Sequence, residues 1–163
     1  MRTSQFTEEQ HLALENRLAE KYPSVSREEI RQAIQRFDER RVRGCVLYCA
    51  SESEALWSVT TVFDFLIILI NTNHGFYQRI MAPLRSGGFE TALAALELFV
   101  SSLAWQEKEN FWTSDERRTI IEQFRSLVGI HLNRYLRENG IEIHENDFRV
   151  GSRDMILHDG DEV

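Results

Sequence analysis

The sequence is short of several things, and each shortage closes off a class of function. It has two cysteines, Cys45 and Cys49, and no N-x-S/T sequon, so neither the disulfide framework nor the glycan acceptors of a secreted domain are present. The N-terminal stretch MRTSQFTEEQ has no apolar signal core, which leads us to expect a cytoplasmic protein. The longest apolar run, FLIILI at 65–70, is far below the roughly 20 residues a membrane-crossing helix needs, so no membrane partner is expected. Positive charge is also scarce. A formal charge of -7 and a pI near 5.3 remove the diffuse attraction behind most non-specific nucleic-acid affinity. The phosphate loop G-x-x-x-x-G-K-[ST], the dinucleotide fingerprint G-x-G-x-x-G, the nucleophile elbow G-x-S-x-G and the zinc motif H-E-x-x-H are all missing.

What is there is enough for one core. With 163 residues, 42% of them hydrophobic, the chain can close a single domain, which we place at 1–145, followed by an acidic, irregular tail at 146–163. Thr7 with Gln10 and Ser26 with Glu29 fit the capping box, so helices are expected from 7 to 21 and from 26 to 41, broken at Pro23. Leu12, Leu14 and Leu18, then Ile30, Ala33, Ile34 and Phe37, recur at helical spacing. β-Branched and aromatic residues then take over, and strands are expected at 45–49, 56–63 and 65–71, with Asp64 at a bend. Residues 65–70 are so continuously apolar that this strand should be covered on both faces.

The second half returns to helix. After Gly87 and Gly88, the residues Phe89, Ala92, Leu93, Leu96, Phe99, Val100 and Leu103 make one wide apolar stripe. Ser114 opens a second long helix to Glu138, stopped by Gly140. Its stripe is Ile120, Ile121, Phe124, Leu127, Val128, Leu132 and Tyr135. Both stripes are expected to form core, and a short strand is expected at 141–144. The fold class is therefore α+β and mostly helical: an N-terminal helical hairpin, a small mainly antiparallel sheet, and two long packed C-terminal helices.

Few residues are placed for chemistry. Cys45 and Cys49 have the wrong spacing for a C-x2-C knuckle and lack a second ligand pair, so they are read as two buried small hydrophobes, with no metal and no cofactor. His131, on the apolar stripe of the last helix, is read as a hydrogen-bonded core group. Glu97, near the edge of its stripe, should pair with an arginine or with His131. The strongest concentration of polar and aromatic groups is Asn71, Asn73, His74, Phe76 and Tyr77, at the end of the covered strand. Asn71 and His74 can satisfy backbone amides where the chain reverses, which reads as a structural corner more readily than as a site.

The string Asn71-Thr72-Asn73-His74-Gly75-Phe76-Tyr77, after a short apolar strand and before a helix containing SSLAWQE, resembles an N-x-x-H-P-F-Y pattern. That pattern follows the nucleotide-binding domain of some bacterial Bergerat-fold ATPases of the gyrase B, histidine kinase and MutL type. The resemblance covers about residues 55–137, with Gly75 in place of the proline. Neither the E-x-x-x-N helix nor the D-x-G-x-G loop of the family's ATP site occurs within that segment. The resemblance thus implies an accessory segment without catalytic residues.

Three functional expectations result. The leading one is a non-enzymatic interaction or accessory subunit of a larger bacterial assembly, with a protein partner, an ATPase among the candidates, and room for homo-oligomers. The second is a small hydrolase or nucleotide-processing enzyme using His74 with a nearby acid. The third is a local nucleic-acid contact through Arg40, Arg41 and Arg43.

Overall fold

The computed structural model describes residues 6–40, 44–144 and 147, with the side chain of Arg40 excluded. They build three layers with a small sheet in the middle. The first layer is the expected helical hairpin, α1 (Glu8–Lys21) and α2 (Arg27–Arg40). Its first cap is a full capping box: the Gln10 amide donates to Thr7 Oγ1 at 3.2 Å and the Thr7 amide donates to Gln10 Oε1 at 2.9 Å. At the second cap the Glu29 amide donates to Ser26 Oγ at 3.2 Å. Leu14, Leu18, Ile30 and Ile34 are sealed beneath these helices, whereas Leu12 points to solvent.

The sheet has three strands, β1 (Gly44–Cys49), β2 (Trp57–Val62) and β3 (Phe65–Asn71), in the order β1-β3-β2. From β1 the chain passes to the far edge as β2 and hairpins back into the middle. One of the two pairings is therefore antiparallel and the other, β1 with β3, parallel. The hairpin turns on two residues, Phe63 and Asp64, at φ 49° and 65°. Both lie in the left-handed region, as a turn matched to strand twist demands. Central β3 is covered on both faces. Ile67, with Cys45 and Leu47, meets α1 and α2; Leu66, Ile68 and Ile70, with Val46 and Tyr48, meet the third layer.

That third layer follows the corner at 71–77. A π-helical turn, Tyr77–Met81, runs into α3 (Ala82–Ser86), and then come α4 (Glu90–Phe111) and α5 (Asp115–Glu138). Pro83 explains the loose turn, because it has no amide to give the Arg79 carbonyl four residues back. The Ile143 amide takes that carbonyl instead, at 2.9 Å. The strand expected at 141–144 is accordingly absent: past Gly140, at φ 60°, the segment is irregular, anchored by this bond and by the 2.9 Å bond of the Ile141 amide to the Leu136 carbonyl. The tail expected at 146–163 lies outside the described residues apart from Asp147. Among the described residues no helix is long and apolar enough to cross a membrane.

The two apolar stripes are only half used. Leu93, Leu96 and Val100 of α4 and Val128 and Leu132 of α5 pack on the sheet, but Phe99 is 63% exposed and Phe124 and Leu127 are each 56% exposed. Three strands at about 4.8 Å spacing make a sheet under about 15 Å wide. It can cover the inner half of each stripe, and nothing described covers the outer half.

Candidate functional site

The corner is a hydrogen-bonded knot. Asn71, buried at the end of β3, accepts from the Ser51 and Asn73 amides at 3.0 Å each through Oδ1. Its Nδ2 donates to the carbonyls of Ser53 at 2.9 Å and Ala55 at 3.3 Å. All four hydrogen-bonding positions of the carboxamide are thereby filled. Asn73 is exposed and donates to the Ser51 carbonyl at 3.2 Å.

His74 is 2% exposed. The Phe76 amide donates to its Nδ1 at 3.1 Å, and an amide can donate only to a bare ring nitrogen, so the proton sits on Nε2. Nε2 donates to the Gly129 carbonyl at 3.0 Å. Burial, outweighing that bond and the Glu54 charge, holds the imidazole pKa below its ordinary value. With both nitrogens engaged and the ring neutral, His74 has no lone pair free for base catalysis.

The surface receiving the corner is one row of α5, at i, i+4 and i+8. Arg125 Nη1 donates to the Trp57 carbonyl at 3.2 Å, Gly129 accepts from His74, and Asn133 Oδ1 accepts the Gly75 amide at 2.8 Å. Two glycines make this approach possible. A Cβ at Gly129 would strike the Glu54 carbonyl, and one at Gly75 would strike Asn133 Oδ1.

The third layer therefore meets the sheet through charges. Arg125 Nη2 lies 3.1 Å from Glu107 Oε1 with both side chains buried, which ties α5 to α4. Burial raises the Glu107 pKa and Arg125 opposes the rise. Glu97, also inward, accepts a 2.6 Å hydrogen bond from the Tyr48 hydroxyl. Burial, with the Glu97 charge beside it, pushes the Tyr48 phenol well up, so it remains a donor. Arg85 lies over the Tyr48 ring, 4.2 Å from its centroid, and donates to the Tyr77 hydroxyl at 3.0 Å. Beside them, between α2 and α4, is an open groove of about 410 Å³ in which Arg36 and Arg85 face Glu39, Glu90 and Glu97.

Other expectations fare differently. Glu97 accepts from Tyr48 and lines the groove with Arg36 and Arg85, whereas His131 is exposed: its Nδ1 lies 3.2 Å from Arg134 and its ring stacks on Tyr135. His131 sits on the outer half of the stripe, which is why the core role is lost. Cys45 is buried and burial pushes its thiol up to about 12, which leaves it inert. Cys49, half-buried, packs on the same side. Among the described residues no three His, Cys, Asp or Glu side chains converge to hold a metal ion. Arg40 ends α2, and Arg41 and Arg43 lie outside the described residues.

The remaining candidate is the outer face of α4 and α5, where Leu98, Phe99, Leu103, Phe124, Leu127 and Ile130 are exposed. The sequence signal for it was available. From Thr91 to Glu107 the only charged residues are Glu97 and Glu107, and both are buried. Over this span the helix turns both charges inward and exposes Leu98, Phe99 and Leu103, while Leu93, Leu96 and Val100 pack on the sheet. Comparison with protein-family models, with curated proteins and with solved structures finds no match.

Proposed function

We propose that this chain is a non-enzymatic interaction module, an accessory subunit of a larger bacterial assembly, and that it binds protein through the outer face of α4 and α5. The observation that carries this reading is the exposed outer half of the two stripes: Leu98, Phe99 and Leu103 of α4 and Phe124, Leu127 and Ile130 of α5 lie in water while Glu97, Glu107 and Arg125 are buried. Contiguous exposed apolar surface of this kind marks protein-binding faces in soluble domains. The corner at 71–77 serves the module by fixing α5 to the sheet, since its histidine and asparagines are spent on backbone groups. The resemblance of residues 55–137 names a Bergerat-fold ATPase as the enzyme such an assembly would contain.

Affinity purification of the tagged full chain from its native host tests the reading, run beside a Phe99→Glu/Leu127→Glu variant. The expected result is a stoichiometric protein, another chain or an untagged copy of this one, captured by the wild type and lost by the variant. Capture of nothing, or equal capture by both, would overturn it.

A further inference from the structure

We infer that the groove between α2 and α4 is a binding site for a small zwitterion, a free α-amino acid with an aliphatic side chain, and that Arg36 is the residue that takes its carboxylate. This goes beyond the protein-binding reading and uses a different part of the molecule. The groove measures about 410 Å³, within the roughly 300–1,000 Å³ of small-ligand sites. Three elements line it, with Arg36 coming from α2, Arg85 from α3, and Glu90, Leu93 and Glu97 from α4.

The two arginines are not equivalent. Arg85 is engaged: it donates to the Tyr77 hydroxyl, lies over the Tyr48 ring, and has Nη2 3.6 Å from Glu29 Oε1. Arg36 is half-buried and adjoins Tyr48 and Arg85 around a smaller hollow that opens beside the groove. Among the described residues Arg36 makes no hydrogen bond and no ion pair. Its guanidinium presents five N–H donors in a rigid fork, and a carboxylate is the group that such a fork grips with two parallel bonds.

The acids decide which anion fits. Glu39, Glu90 and Glu97 line the same groove as Arg36 and Arg85, so negative groups outnumber positive ones by three to two. A phosphate dianion would meet net repulsion there. A ligand that brings one ammonium with its one carboxylate answers both signs, its carboxylate on the α2 side and its ammonium towards Glu90 on α4. Glu97 adds its charge to that side while it accepts from the Tyr48 hydroxyl. Leu84, Leu93 and Ala94 supply the apolar part of the lining, against which an aliphatic side chain loses water.

Isothermal titration calorimetry of the full chain with L-leucine tests the inference. Isocaproate, which lacks the ammonium, isoamylamine, which lacks the carboxylate, and inorganic phosphate serve as comparisons. L-leucine is expected to bind saturably at one site, and each comparison compound to bind about tenfold more weakly or worse, the effect of losing one charge-assisted contact. Arg36→Gln should weaken leucine binding by a like factor while keeping the wild-type Tm without ligand, and Arg36→Lys, which keeps the charge but loses the fork, should fall between. The comparison of compounds on the wild type stands whether or not a variant folds. No saturable binding of L-leucine, isocaproate or phosphate binding as tightly as leucine, or leucine binding indifferent to Arg36→Gln would each overturn the assignment.

Discussion

The two helical layers cover the same three-stranded sheet in opposite ways. Beneath α1 and α2 the contact with the sheet is apolar and sealed: Leu14, Leu18, Ile30 and Ile34 meet Cys45, Leu47 and Ile67, and the buried Glu15 is paired with Arg27 and Arg31 at the seam between the two helices. Beneath α4 and α5 the contact is mixed, with Glu97, Ser101, Glu107 and Arg125 buried among the aliphatic groups, while Phe99, Phe124 and Leu127 are outside. The first layer can be explained by burial within one chain. The second cannot, because it accepts the desolvation cost of inward charges and leaves apolar area in water. A helix pair with that arrangement has two apolar demands, and the sheet meets only one.

The difference can be broken most forcefully at the buried ion pair. Arg125→Ala strands Glu107 without its counter-charge, and loss of one member of a buried pair costs about 3–5 kcal/mol. The double change Glu107→Leu/Arg125→Met should recover most of it in denaturant unfolding. Recovery of nothing would mean that the pair is not what fastens α5 to α4. In the first layer the corresponding break is Leu14→Ala, which removes a fully buried side chain and should cost about 2–5 kcal/mol.

The corner comes next. His74→Ala deprives the Phe76 amide and Gly129 carbonyl of a shared partner, at a cost of about 1–3 kcal/mol, with His74→Gln regaining part. Because the folded pKa of His74 is depressed, the unfolded chain takes up the proton first on acidification. The contribution of the neutral ring is complete above about pH 6.5 and is lost as pH falls below it. Melts at stepped pH should show this slope in the wild type and a weaker one in His74→Gln; equal slopes would remove the histidine from the account.

Much of this molecule was legible in its sequence, and the boundary is physical. The caps at Thr7, Ser26 and Ser114 could be read because each satisfies amides within three residues of itself. β3 could be read as covered on both faces because its apolar run has no polar alternation. The role of Asn71 and His74 as amide partners followed from the need to end a buried strand. The strand expected at 141–144 failed because local pattern cannot foresee that Pro83 leaves a carbonyl for Ile143. Stripe width on α4 and α5 was misread as core width, so Phe124 and His131 were placed inside. Periodicity reports that a face seeks cover and is silent on what supplies it. Glu97, alone among uncharged neighbours from Thr91 to Gln106, was the missed clue: with its one charge buried, the remaining face had to be uncharged.

The smallest expected effect is also the most direct test. Within the single chain the outer face of α4 and α5 is water-exposed, so Phe99→Ser/Leu127→Ser should alter the stability of the isolated chain by less than about 0.5 kcal/mol per site. Thermal melts of wild type and variant at low concentration read this out, and the two should melt at nearly the same temperature. A variant that melts far below the wild type, by a margin like that of Leu14→Ala, would place those residues in the chain's own core and contradict the account.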